Sequence, residues 1–165
     1  MRKKWQYYQN ENTKEADKLQ EKLGLNKLIS TILANRGITI DNVDVFLNPN
    51  RHDFHNPFDI PDMEKAVNRL LIAIEKNEKV IIFGDYDVDG ITSTTVLKSF
   101  LQDRGLYAGV YIPNRLKEGY GLNEEAIKKI AKEGYTLMVT VDCGITAVKE
   151  VELAKKLGIE TIITD

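Results

Sequence analysis

The rhythm of apolar positions changes partway along this chain. In residues 1–60 the apolar residues fall in short helical groups. Leu28, Ile29, Ile32 and Leu33 share one helical face, with Asn26 placed to cap the helix and Gly37 to end it. Thr39 is placed to cap a second short helix through DNVDVFL, stopped before Pro49. The stretch NPNRHDFHNPFDIP is rich in Asn and Pro and reads as loop or linker.

From Pro61 the pattern becomes a strict alternation. PDMEKAVNRLLIAIEKN predicts an amphipathic helix with Pro near its first turn. KVIIF predicts a short buried strand, and GITSTTVLKSFLQDRG a helix closed by Gly105. YAGVYI, TLMVTV and IETIIT predict three further strands. NEEAIKKIAKEG, capped by Asn123 and stopped by Gly134, and TAVKEVELAKKLG predict the helices between them. Strands separated by helices mean βαβ units, a parallel sheet and helices on both faces. The fold class expected is therefore α/β, with a small helical region and linker over residues 1–60 and the sheet domain over 61–165. The last predicted strand runs into Asp165, so the sequence is expected to be part of a longer protein.

Composition adds bounds. A chain of 165 residues with 42% hydrophobic and 29% charged residues is ordinary for a globular protein with a real core. A net charge of −2 gives no electrostatic case for nucleic acid, although a local basic patch can act without a basic total. The single cysteine, Cys143, rules out an internal disulfide and fits a reducing cytosol. No apolar run approaches the roughly 18 residues needed to span a membrane. The start, MRKKWQYYQ, lacks the apolar stretch of a secretory signal. These features predict a cytoplasmic protein.

The chemistry concentrates in GDYDVDG, where Asp85, Asp87 and Asp89 follow the first predicted strand. Such spacing also opens an EF-hand calcium loop, but its bidentate Glu would fall on Val96, and the preceding element reads as strand rather than helix. In parallel sheets, ligands bind outside the carboxyl ends of the strands, where strand order reverses. Asp142 follows the third strand and Asp165 ends the fourth, so acids stand at three strand ends on one edge. For Asp142 to share metals with the first group, strands one and three must be neighbours, which predicts the order 2-1-3-4. Clustered carboxylates repel one another, and a divalent cation relieves this. All-oxygen donors suit Mg²⁺ or Mn²⁺. Gly84 and Gly90 are expected to let the backbone turn sharply, and the helix start with Thr92 and Ser93 to offer donors to an anion. Metals beside an anion site suggest phosphoryl chemistry.

At these residues the sequence resembles the DHH phosphoesterase superfamily: FGDYDVDGITS its first motif, VTVDCGI its second, and IITD the strand leading to the DHH triplet. IPNRLKEGYGLN, with LANRGI, VFLNP and DMEKAV upstream, resembles the RecJ family of single-strand-specific 5′→3′ exonucleases within it. The resemblance implies a two-metal hydrolase, with Mn²⁺ or Mg²⁺, acting on single-stranded DNA in recombination and repair. A single-strand-binding protein or a helicase is the kind of partner it implies. Carried over, it makes Asp85, Asp87, Asp89 and Asp142 candidate metal ligands, Asp142 bridging two ions. Which two of Asp85, Asp87 and Asp89 bind metal stays open: a plain D-x-D favours Asp87 and Asp89, while RecJ proteins are also described through the first pair. Asp165 matches the first letter of DHH and would orient a histidine that this sequence does not include. The later Asp of the family is also absent, so residues 1–165 alone are expected to be inactive. Another DHH phosphoesterase, acting on short oligonucleotides or cyclic dinucleotides, is an alternative, as is a non-catalytic DNA- or partner-binding module.

Arg115, Lys117 and Tyr120 lie in PNRLKEGYG, on the same predicted edge as the acids. They are candidates for phosphate contact and base stacking, against the plainer reading of a solvated loop hinged at Gly119 and Gly121. His52 and His55 read as ordinary loop residues, and Cys143 as a small buried residue. Trp5, Tyr7 and Tyr8 could stack on nucleic acid, although such termini more often pack on their own domain or fray.

Overall fold

A computed structural model describes residue 4 and residues 12–165. Trp5, Tyr7 and Tyr8 lie outside the described residues. The chain forms two compact units, Met1–Asp59 and Ile60–Asp165.

The first unit is built on α1 (Thr13–Leu23), α2 (Lys27–Asn35) and α3 (Val43–Leu47). Ala16 and Leu19 of α1 pack with Leu33, Ala34 and Val43 to make its core. Asn26 caps α2 as expected, its side chain accepting from Leu28 N–H at 2.8 Å. Thr39 does not cap α3. Its N–H donates to Asn42 Oδ1 at 2.8 Å, and the helix begins four residues later, at Val43. α1 has no counterpart in the short helical pieces read from the sequence. Of its eleven residues only Ala16 and Leu19 are buried, so its apolar stripe is narrow.

The second unit is a four-stranded parallel sheet in the order β2-β1-β3-β4, with β1 (Val80–Phe83), β2 (Ala108–Tyr111), β3 (Leu137–Val141) and β4 (Glu160–Thr164). The expected order 2-1-3-4 is the observed one. β1 and β3 are buried along their whole length, as continuous apolar runs in the middle of a parallel sheet should be. Alternation divides their side chains between two cores. Val80, Ile82, Leu137 and Val139 face α4 (Met63–Glu75) and α5 (Val88–Asp103). Ile81, Phe83 and Met138 face α6 (Glu124–Lys132) and α7 (Val148–Lys156). Helices thus cover both faces, and the strand order reverses between β1 and β3.

At the amino-terminal edge of the sheet, Arg69 of α4 ties three elements together. It donates to Glu78 Oε2 at 2.8 Å and also bonds Glu160, while Thr136 donates to Glu78 at 3.0 Å. The Arg69 guanidinium and the Thr136 hydroxyl hold the Glu78 carboxyl below its ordinary 4.5. A carboxylate with a depressed folded pKa stabilises the fold above its unfolded pKa, and that stability is lost as pH falls through the folded value. Glu78→Gln is expected to cost about 1 kcal/mol at pH 7, roughly 4–8 °C in Tm for a unit of this size. The difference should vanish in melts well below the ordinary carboxylate range. Equal Tm values at pH 7 would show that the bridge contributes nothing.

Candidate metal centre at the carboxyl edge of the sheet

The carboxyl ends of β1, β3 and β4 carry the acids. β1 ends at Phe83, and the chain passes through Gly84 and Asp85 into α5, whose cap is Asp87. One Asp87 oxygen accepts from the N–H groups of Asp89 and Gly90, each at 3.0 Å. This Asp therefore satisfies the helix start, and its negative charge suits the positive end of the helix dipole. The helix begins earlier than the sequence suggested, which puts Asp89 inside its first turn.

The two glycines serve closeness rather than a left-handed turn, because neither has a positive φ. A Cβ on Gly90 would fall 2.6 Å from the Asp85 carbonyl carbon and 2.7 Å from its Cα. A Cβ on Gly84 would run into Thr94 Oγ1. The first turn of α5 can lie against the Asp85 backbone only without those atoms. Asp142 does take a left-handed conformation, φ 59°, which Asp tolerates better than most residues. Its N–H extends the β3–β4 ladder to Thr164 O at 2.9 Å, and its side chain turns back toward β1.

Asp85, Asp87 and Asp142 each offer one carboxylate oxygen, and these oxygens lie within 4.8 Å of one another. Asp85 is only 4% exposed, and its Oδ1 meets no hydrogen-bond donor. A carboxylate oxygen that buried and unpartnered is costly, and a divalent cation would satisfy it. Desolvation, then the charges of Asp87, Asp89 and Asp85, push the Asp142 carboxyl above its ordinary value. The orphaned oxygen and an all-oxygen donor set fit Mg²⁺ or Mn²⁺. Asp89 stays outside this trio, exposed on the first turn of α5, and acts on Asp142 through its charge alone. Asp165 lies on the same edge, and its Oδ2 accepts from Ile145 N–H at 2.8 Å. It thereby braces the turn that carries Asp142.

The loop after β2 comes to the same edge. The Arg115 guanidinium lies 5.2 Å from the centroid of the Tyr86 ring, which also meets Tyr120 edge-on at 6.4 Å. Tyr120 O–H donates to the Asp142 carbonyl at 3.3 Å. Lys117 is exposed on the same loop. Tyr86 was not among the residues singled out in the sequence. Its signal was an aromatic ring between two acids just past a strand end, and its ring contacts are with Arg115 and Tyr120 of the loop.

The Thr92 and Ser93 hydroxyls point back into their own helix. Thr92 donates to Val88 O at 2.7 Å and Ser93 to Asp89 O. The capping bonds to Asp87 likewise occupy the N–H groups of Asp89 and Gly90. Cys143 is fully buried, and burial followed by the neighbouring acids pushes its thiol up to about 12, so it is not a nucleophile. His52 and His55 are exposed in the first unit and join no metal-binding group among the described residues.

Known proteins resemble this chain in sequence and in fold. Residues 79–165 match the DHH family, N-terminal domain. A single-stranded-DNA-specific exonuclease RecJ from Bacillus subtilis is 44% identical over 148 residues, which are 89% of this chain and 19% of that protein. Two crystal structures are similar in fold. One, of exonuclease RecJ bound to manganese, is 38% identical, with a TM-score of 0.58 over 61% of this chain and 26% of that one. The other, of RecJ from Thermus thermophilus in complex with Mn²⁺, is 25% identical, with a TM-score of 0.64 over 92% of this chain and 21% of that one. The chain thus spans about a fifth of the length of the curated relative. The matched segment covers more than half of the chain and holds the whole sheet and every acid on its carboxyl edge, which makes the chain a member of the DHH family.

Proposed function

We propose that this chain supplies one wall of the active site of a metal-dependent 5′→3′ exonuclease acting on single-stranded DNA. The observation that carries this reading is the convergence, at one sheet edge, of an unpartnered buried Asp85 oxygen, two further carboxylates and a loop presenting Arg115 and Tyr120. The relative similar over 89% of the chain is described as a single-stranded-DNA-specific exonuclease, and both similar crystal structures hold manganese. In this reading residues 61–165 are the N-terminal part of a DHH phosphoesterase domain, and residues 1–60 a helical attachment and linker. The protein works in the cytoplasm, in recombination and repair, where a single-strand-binding protein or a helicase would supply its substrate.

Asp85, Asp87 and Asp142 would hold the metal, and Asp89 would be the further acid available to a second ion. Bound there, Mn²⁺ or Mg²⁺ supplies Lewis-acid polarisation of the phosphodiester and a more acidic water. The chain's own residues do the rest. In this reading Asp142 would be shared between two ions, and Asp165 would keep its turn in place. Arg115 and Lys117 offer positive charge to backbone phosphates, which gives affinity without sequence preference. The Tyr86 and Tyr120 rings offer faces on which terminal bases can stack.

The test is an assay on 5′- and 3′-labelled single strands, with and without Mn²⁺. Residues 1–165 should be compared with the longest natural polypeptide that contains them. The longer protein is expected to release mononucleotides from the 5′ end only, and only with metal. Residues 1–165 alone should show little or no activity, because they bring no histidine to the acid cluster. Release from the 3′ end, or a preference for cyclic dinucleotides, would transfer the site to another phosphoesterase reaction.

A further inference from the structure

The loop between β2 and α6 is anchored by a carboxylate that has no place in the chemistry above. Glu118 uses both of its oxygens. Oε2 accepts from the Tyr111 hydroxyl at the end of β2, and Oε1 accepts from Asn114 N–H at 2.8 Å. Asn114 then organises the turn. Its Oδ1 accepts from Leu116 N–H at 3.0 Å and its carbonyl from Glu118 N–H at 2.8 Å. The anchor is rigid, because the Tyr111 ring stacks on the fully buried Phe83 at 5.2 Å, two residues before Asp85. On the far side of the clamp the loop lays Arg115 on Tyr86 and brings Tyr120 to the Asp142 carbonyl. It also leaves Leu116 95% exposed at its tip. A carboxylate suits this role because it only accepts, and both of its partners here donate.

We infer that Glu118 is a positioning residue: it locks the loop in the shape that aims Arg115 and Tyr120 at the acid cluster, and so sets affinity for a single strand without touching metal or substrate. This rests on the reading of that loop as substrate-facing. Free of the clamp, the loop would still carry its cation and its ring. Ordering them would then be charged to each binding event, so affinity falls while the metal site stays whole.

The experiment uses residues 1–165 with Mn²⁺ and a 5′-phosphorylated oligothymidine bearing a 3′ fluorophore, read by anisotropy. Mn²⁺ binding is measured by calorimetry, and exchange of the Leu116 and Lys117 amides by NMR. Losing two hydrogen bonds to a charged acceptor should weaken oligonucleotide binding of Glu118→Ala by about 10-fold or more, with Mn²⁺ affinity unchanged within roughly twofold. Loop amide exchange should rise in parallel. Glu118→Gln, which keeps an acceptor for Asn114 and can still bond the tyrosine hydroxyl, should recover most of the binding. The triple variant Arg115→Ala/Glu118→Ala/Tyr120→Ala should bind no more weakly than Arg115→Ala/Tyr120→Ala, because Glu118 acts through those two residues. Should Glu118→Ala fail to fold, Tyr111→Phe removes one arm of the clamp and should weaken binding about threefold. Binding that depends on Arg115 but is untouched in Glu118→Ala overturns the positioning role alone. Wild-type binding indifferent to Arg115→Ala overturns the substrate-facing loop, and the positioning role with it. A fall in Mn²⁺ affinity equal to the fall in oligonucleotide affinity shows a general structural role instead.

Discussion

Asp142→Ala is expected to lower Mn²⁺-dependent hydrolysis by at least about 100-fold in the longest natural polypeptide that contains these residues. Asp142 closes the trio with Asp85 and Asp87. Without it the buried Asp85 oxygen and one oxygen of Asp87 are left to hold a divalent charge on their own. Calorimetry on residues 1–165 should show the same loss as weakened Mn²⁺ binding. Stability moves by two opposed effects. Alanine at φ 59° costs about 1 kcal/mol, because its Cβ crowds the carbonyl in the left-handed region. Removing a carboxylate that Asp87, Asp89 and Asp85 all repel favours the metal-free fold. Asp142→Asn separates backbone strain from metal loss. Asparagine tolerates the left-handed conformation and lacks the repelled charge, so this variant should keep its Tm or gain a little, and still lose metal binding and rate. Near-normal turnover in either variant would remove Asp142 from the site.

Gly90→Ala is expected to destabilise the second unit by about 2–4 kcal/mol, roughly 10 °C or more in Tm. In a helix, Ala is ordinarily better than Gly by about 1 kcal/mol, so the sign of the change is itself diagnostic. The added Cβ would lie 2.6–2.7 Å from the backbone of Asp85. That neighbour cannot swing aside as a flexible side chain could. Either α5 lifts off β1 or Asp85 moves, and Mn²⁺ affinity should fall together with Tm. A variant as stable as the parent, with unchanged metal binding, would mean that the contact is looser than the geometry shows.

The fold was legible because its signals are local and repeated. Short apolar runs such as VIIF and LMVTV sit between amphipathic helices, and side-chain caps at Asn26 and Asn123 mark helix starts where the sequence put them. The strand order was legible for another reason: acids at the ends of the first and third strands can share a cation only if those strands are neighbours. α1 was hidden by its polarity, since Ala16 and Leu19 are its only buried residues.

The sequence by itself determined that this is a parallel α/β domain with carboxylates gathered on one edge, because apolar period and residue chemistry are written position by position. It left the three aspartates of DYDVDG equivalent, since a period of two places them alike. Only the tertiary structure separated them. The strand stops at Phe83 and α5 starts at Val88, so alternation ends before Asp89. Asp85 is buried with an unpartnered oxygen, Asp87 caps α5 and also belongs to the cluster, and Asp89 is left on an exposed helical turn. The structure likewise brought Tyr86, Glu118 and Tyr111 into account. Their roles come from contacts such as Tyr86 with Arg115 and Tyr111 with Phe83, which unite residues 28 or 29 positions apart. No local pattern encodes such contacts; pairing β2 beside β1 sets Tyr111 opposite Phe83, and the loops that follow these strands then bring Arg115 to Tyr86.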